Sequence, residues 1–143
     1  MNPIFIEEHI EIAVPPERVF QLYADVAHWN VWDPDTAASW IDGEFQRGSR
    51  GRLRPTKGRE VPMEVISVQE NASFTVESRL PFFRMRFDHE LTETENGVIA
   101  LHRVTLDGLL TPILGRIVAK QVCHDLPITM QSLKKTAEAQ EHS

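Results

Sequence analysis

His89 and His102 are the two side chains in this 143-residue sequence best placed to do chemistry. Each falls on the apolar parity of a strand. Phe83, Met85, Phe87, His89 and Leu91 alternate along one segment, and Ala100, His102, Val104 and Leu106 along the next, the period of a sheet face turned toward a core. An imidazole in such company has three uses. It can act as general acid or base toward a carbonyl-bearing substrate, because its proton affinity lies near neutrality. It can be a polar anchor in an apolar pocket, or a core residue hydrogen-bonded to a neighbour. The Asn96-Gly97 dipeptide predicts a two-residue turn with both residues at positive φ. That turn sets Glu95 opposite Val98, His102 opposite Leu91 and His89 opposite Val104, leaving the imidazoles a diagonal apart, roughly 7 Å at the backbone. It also sets Glu90 opposite Arg103 and Arg86 opposite Asp107, two opposite-charge pairs.

Other chemistries find less support. A metal site needs a third ligand at tetrahedral spacing beside the two histidines, and none is evident; His9 falls on the opposite strand face, and His124 and His142 do not improve the case. Ser39, Ser49 and Ser78 lie in no nucleophile elbow, and no glycine-rich phosphate loop follows a strand and opens a helix. Cys123 has no activating neighbour except His124, which points about 100° away on a helix, so it reads as a small buried residue. No cofactor is called for. Trp29 and Trp32, three residues apart, either cap the core or line a pocket entrance; Trp40 is a weaker pocket candidate.

Several elements must position these side chains. Ile4, Ile6, Ile10, Ile12 and Val14 alternate with Glu7, His9 and Glu11 in a strand ended by Pro15-Pro16, since proline removes ladder donors and suits the first turn of a helix. Val19, Phe20 and Tyr23 form the inner stripe of that helix. Asp25 is placed to cap a second short helix containing Trp29, which Trp32-Asp33-Pro34 stops. From Thr36 to Asp107 six strands follow, separated by turn signals at Asp42-Gly43, Arg47-Gly48, Lys57-Gly58, Asn71, Pro81 and Asn96-Gly97. Val61, Met63 and Val65 alternate, then Ile66 and Val68 take the other parity, which predicts a bulge that helps the sheet curl. Phe74, Val76, Ser78 and Leu80 look inward, with Glu77 and Arg79 on the alternate face. The chain closes on a long amphipathic helix, Leu109 to Ala139. Its stripe is Leu110, Leu114, Val118, Val122, Leu126, Met130, Leu133 and Ala137, with Pro127 inside it as a kink or hinge.

Composition sets the outer bounds. With 41% hydrophobic and 25% charged residues the chain is an ordinary globular one, of a length suited to a single domain over residues 1–143. No apolar run approaches the ~18 residues that would cross a bilayer, so no membrane insertion is expected. Glu7 and Glu8 stand where a secretory signal would carry positive charge, and the lone Cys123 can form no internal disulfide; both point to the cytoplasm. The net charge of −6 includes a basic segment, Arg47, Arg50, Arg52, Arg54, Lys57 and Arg59, free of acidic residues. Arg50, Arg52 and Arg54 share one parity and read as a solvated strand face. No aromatic platform is interleaved with them, so nucleic acid is not an expected partner.

The first strand, Val14-Pro15-Pro16-Glu17-Arg18-Val19-Phe20, the Trp29/Trp32-Asp33-Pro34 cluster and the closing helix from Leu109 together resemble the START-like SRPBCC superfamily of polyketide cyclase/dehydrase and lipid-transport proteins. The resemblance spans nearly the whole chain and implies an α+β helix-grip fold. In it, a curved antiparallel sheet of about seven strands, with two short helices after the first, wraps a long C-terminal helix. The cavity between sheet and helix would then be lined by Met63, Phe74, Val76, Met85, Phe87, His89, His102 and Val104 from strands and by Leu114, Val118 and Val122 from the helix. The leading functional expectation is binding or transport of a small hydrophobic molecule such as a lipid, polyketide or aromatic metabolite. A cyclase or dehydrase with His89 or His102 shuttling a proton is the alternative. A ligand-free interaction module, such as a homodimer using Ile99 and Leu101 on the outer face, is the third.

Overall fold

The alternation at the amino terminus produces an edge strand, β1 (Ile4–Ile12), whose Ile6 and Ile12 are buried while Glu7, His9 and Glu11 face water. Six more strands follow in the computed structural model, which describes residues 3–141 and so leaves His142 outside the described residues. They are β2 (Thr36–Ile41), β3 (Arg50–Pro55), β4 (Val61–Gln69), β5 (Ser73–Leu80), β6 (Phe83–Thr94) and β7 (Gly97–Asp107). All pair antiparallel in one sheet of order β1-β7-β6-β5-β4-β3-β2. Helix α1 (Pro16–Ala24) and a 3-10 segment (Val26–Val31) connect β1 to β2. After β7 a π turn (Thr111–Gly115) leads into the long helix α2 (Arg116–Glu141). The sheet curls into a half-barrel around α2, the helix-grip fold. The expected bulge is present where the β4–β5 register shifts between Val65 and Ser67.

The link between α1 and β2 is fixed by its aromatic residues. A helix leaves its last carbonyls without intrahelical donors. In α1 the indole N–H of Trp29 donates to the Tyr23 carbonyl (2.8 Å), and that of Trp32 to the Leu22 carbonyl (3.3 Å). Both indoles are buried as a result. The Asp25 side chain does not cap the 3-10 segment as its position suggested; its carboxylate instead accepts from His28 Nδ1 (2.9 Å). Asp33 ends the segment by accepting from the Asp35 backbone (2.9 Å) and the Thr36 hydroxyl (2.9 Å).

The β6–β7 hairpin departs from the expected register. Its turn residues are Glu95-Asn96, so Thr94 pairs with Gly97, and only Gly97, at φ 146°, is in the positive region. Every pair slides by two residues relative to a turn on Asn96-Gly97. Side chains keep their faces, since the strand period is two, but their partners change: Val98 lies opposite Glu93 and His89 directly opposite His102. Arg84 now takes Asp107 (2.8 Å), while Arg103 reaches Glu90 (3.3 Å) and Glu7 (2.7 Å). The physical reason lies in β1. Gly97 packs against the end of that strand, where a Cβ would run into the Ile12 carbonyl oxygen, so the glycine is needed beside the turn for close approach.

Glu77 also differs from expectation. It occupies the outer face by parity yet is buried, because Arg79 (2.6 Å) and Arg86 (3.2 Å) fold over its carboxylate. Desolvation pushes its pKa up, but the two guanidinium groups outweigh that and hold it below the ordinary carboxylate value.

Helix α2 is anchored at one end. Leu126, Met130, Leu133 and Ala137 are buried, whereas Val118 and Val122 are half-buried and Leu114 is exposed. The helix starts later than the apolar stripe suggested: Leu109 and Leu110 precede it, and the π turn intervenes. It runs unbroken through Pro127. Polar contacts gather at the carboxyl-terminal half, where Glu138 accepts from the Ala13 N–H (2.9 Å) and Lys134 donates to the Glu11 carbonyl (2.9 Å). The amino-terminal half spans the concave sheet less deeply, its half-buried Val118, Ala119 and Val122 packing against the edge of the core. Cys123, on this half, is exposed rather than buried.

The Gly97 contact sets a stability test. Gly97→Ala is expected to lower the unfolding free energy by about 2 kcal/mol or more, combining positive-φ strain with backbone overlap. Gly43→Ala is the control. Gly43 also sits at positive φ but has open space around it, and should lose only about 1 kcal/mol. Equal losses in chemical denaturation would rule out the contact with β1 as the reason for glycine at position 97.

Candidate functional site

The space left under the amino-terminal half of α2 is a cavity of about 570 Å³. Of the residues expected to line it, Met63, Phe74, Val76, Met85, Phe87 and Val104 contribute strand side chains, and Val118 and Val122 contribute helix side chains. His89 and His102 are at its wall, both nearly fully buried. Leu114 is not in the wall, because the late start of α2 carries it out to solvent. Trp29 and Trp32 are in the wall as well as the core, while Trp40 is outside it and substantially exposed.

The two histidines belong to a continuous aromatic cluster. Their ring centroids are 4.4 Å apart and the planes nearly perpendicular at 72°, as direct pairing across β6 and β7 requires. His89 stacks on Phe74 at 3.9 Å with planes 6° apart, and its Nδ1 is 3.3 Å from the Phe74 carbonyl oxygen. A carbonyl only accepts, so Nδ1 carries the proton and Nε2 the lone pair. His102 Nε2 lies 2.7 Å from the hydroxyl of Tyr23. Tyr23 is fully buried on α1 and touches Trp32, Phe74, His89 and His102 at centroid separations from 4.9 to 5.7 Å.

Burial sets the charge of this cluster. Desolvation lowers the His89 pKa from 6.5 to about 3. It also holds His102 well below 6.5, with the neighbouring His89 as a second cause. Tyr23 is pushed far above its ordinary value by burial. All three groups are neutral at physiological pH, as buried polar groups with hydrogen-bond partners but no counter-ion must be. No buried side-chain nitrogen or oxygen among the described residues lacks a partner. Neutral rings already engaged with a carbonyl and a phenol suit anchoring better than proton transfer.

Another part of the wall is polar. Asp33, Asp35, Lys57, Gln121, Asp125 and Thr129 face the cavity there. Thr129 donates to Asp35 (3.4 Å) and Gln121 to Asp125 (2.6 Å). Burial raises the pKa of Asp33 and, with the neighbouring carboxylates, that of Asp35. Among the described residues no group of three or more His, Cys, Asp or Glu is arranged to hold a metal ion. Sequence reading used Asp33 only as a helix stop and missed Asp35, Asp125 and Thr129, which come together from segments some ninety residues apart. Tyr23 was legible as an inward residue but not as the partner of His102. The usable signal was that a buried tyrosine must place its hydroxyl on a polar group.

The lowered histidine pKa values make stability pH-dependent. In the unfolded chain each histidine takes up a proton below about pH 6.5, while folded His89 does so only near pH 3. The unfolded state therefore binds more protons in that interval, and stability present above pH 6.5 is lost as pH falls toward 3, by up to about 1.4 kcal/mol per pH unit for each such histidine. The raised Asp33 and Asp35 work in the opposite direction, so the comparison must be with variants. Wild type is expected to lose more denaturant resistance between pH 7 and 5 than His89→Gln or His102→Gln does. Parallel curves would show that the two rings are not held neutral.

The architecture has counterparts among solved structures. Ara h 8.0201 matches with a TM-score of 0.76 at 14% identity, covering 96% of this chain and 99% of that one. The di-domain ARO/CYC StfQ from the steffimycin biosynthetic pathway matches with a TM-score of 0.80 at 12% identity, covering 99% of this chain and 52% of that one. Protein MLL2253 from Mesorhizobium loti matches with a TM-score of 0.73 at 17% identity, covering 96% and 98%. These likenesses show the fold alone. No curated protein sequence matches the chain. A sequence-family model described as polyketide cyclase / dehydrase and lipid transport matches residues 4–138. Seven antiparallel strands gripping a helix over an apolar cavity agree with that match, and the chain belongs to this polyketide cyclase / dehydrase and lipid transport family of the START-like superfamily.

Proposed function

We propose that this protein reversibly binds a small hydrophobic molecule in the cavity between the sheet and α2. The observation that carries the reading is the cavity itself. Its roughly 570 Å³ falls within the size range of metabolite pockets, and most of its wall is apolar side chain. Burying such a molecule against Met63, Val76, Phe87, Val104, Val118 and Val122 would contribute about 25 cal/mol per Å² of apolar surface removed from water. The neutral His89–His102 edge supports orientation by one or two hydrogen bonds, and the polar wall near Asp35 and Thr129 can face a ligand's polar end. The cytoplasm remains the proposed location, on the single unpaired cysteine.

A cyclase or dehydrase reading draws on the family's description. It requires His89 or His102 to exchange a proton near neutral pH, which their burial disfavours. A homodimer through Ile99 and Leu101 is the weaker alternative, because both side chains are already half-buried in the sheet face.

Cavity filling tests the proposal. Val118→Trp places a large ring in the space at a cavity-lining residue that is only half-buried. Titration with an uncharged solvatochromic dye such as Nile red should show saturable binding to the wild type, weakened by roughly tenfold or more in the variant, with the melting temperature nearly unchanged. Equal dye affinity in both proteins would place binding outside the cavity and refute the proposal. The histidine variants divide the two main readings: His89→Gln with His102→Gln should keep dye affinity within about threefold, as expected for one or two neutral hydrogen bonds.

A further inference from the structure

The end of the molecule where α2 begins exposes an apolar surface that the cavity does not use. Phe82, Leu109, Ile113 and Ile117 are each about two-thirds exposed, and Leu114 is exposed beside them. Two segments meet there. The β5–β6 turn and the β7–α2 connection are tied by the Leu110 N–H donating to the Phe82 carbonyl (2.9 Å). Phe82 sits at φ 60°, in left-handed backbone that a bulky residue rarely adopts, and this geometry holds its ring in solvent. Large apolar side chains concentrated at one end, rather than scattered singly, mark an interaction surface.

The charge around the surface identifies its partner. The chain as a whole carries −6, yet segments 78–87 and 108–124 contain five Arg and Lys residues (Arg79, Arg84, Arg86, Arg116 and Lys120) and no Asp or Glu. Arg79 and Arg84 pair across the hairpin, three and two residues from Phe82. They are partly neutralised by Glu77 and Asp107. Arg116 and Lys120 are exposed on the first turns of α2 with Ile117, directly after the π turn that holds Ile113, and form no ion pair among the described residues. Apolar side chains rimmed by cations fit a bilayer surface, where the former enter the acyl boundary and the latter meet phosphate headgroups.

We propose that this end of the molecule docks onto a bilayer surface bearing anionic lipid, through Phe82, Leu109, Ile113 and Ile117 with Arg116 and Lys120 at the headgroups. No helix of the described residues is long and apolar enough to cross a membrane, so the contact is peripheral. It also places the cavity at the lipid. Val118, the residue after Ile117, lines the cavity, as does the Ser78–Met85 pair two pairs in from the hairpin end. A hydrophobic molecule leaving the bilayer would then have a short path into the protein.

Flotation with vesicles tests this directly on the full chain. Vesicles of equal parts phosphatidylcholine and phosphatidylglycerol should carry the protein at low salt, and pure phosphatidylcholine vesicles should carry much less. Raising the salt should release it. Two variants, Phe82→Ser/Ile113→Ser/Ile117→Ser and Arg116→Glu/Lys120→Glu, should each weaken binding roughly tenfold or more. Both should keep the wild-type melting temperature and Nile red affinity, because none of these residues lines the cavity; this separates docking from ligand binding. Absence of binding to the anionic vesicles, or binding that neither variant reduces, overturns the proposal. A dimer in solution that the triple serine variant dissociates also overturns it, assigning the surface to a second copy of the chain.

Discussion

The hydrogen bond between Tyr23 and His102 is the constraint on which the rest of the interior depends. It is the place where α1 is joined to β7 of the sheet, between two buried side chains. A phenol and an imidazole buried there must satisfy each other, because an unpaired polar group would be strongly unfavourable in that setting. Once the pair is made, the neighbours follow. Phe74 and His89 stack beneath it, Trp29 and Trp32 pack beside it while capping α1, and the cluster forms a rigid inner wall. The cavity has a definite shape because this wall cannot collapse into it.

The same constraint bears on chemistry. Two imidazoles 4.4 Å apart invite a catalytic reading. Yet burial makes each ring harder to protonate, and for His102 the neighbouring His89 adds to the effect. The site therefore offers fixed neutral dipoles inside an apolar enclosure. Such an interior suits orienting a guest better than activating it, which is why we favour binding as the proposed reading.

Much of the architecture was legible in the chain. Alternation in β1, the parity change in β4, the proline boundary before α1 and the stripe of α2 from Val118 to Ala137 each follow from side chains preferring one face. Ten of the eleven residues expected around the cavity are in its wall, since face assignment survives a register error of two. The failures have a common cause. The Asn96-Gly97 turn was placed by local preference, whereas Gly97 is required for contact with β1, eighty-odd residues earlier. Leu114 was assigned inward because the stripe was assumed to be covered along its whole length, and Cys123 was read as buried only for want of an activating neighbour. Asp35 and Thr129 meet only through the fold. Local pattern reveals which way a side chain points; it does not reveal which distant segment arrives opposite.

The one-ended anchoring of α2 has a consequence for how such a protein can diversify. Met130, Leu133 and Ala137 are fully buried core residues of α2, while the enclosed volume is shaped by half-buried Val118 and Val122, with Leu126 serving both. Shape of the cavity and integrity of the fold are thus governed largely by different stretches of a single helix. Replacements in the first stretch can remould the chamber at small thermodynamic penalty, so one scaffold can acquire new cargo without first becoming more robust.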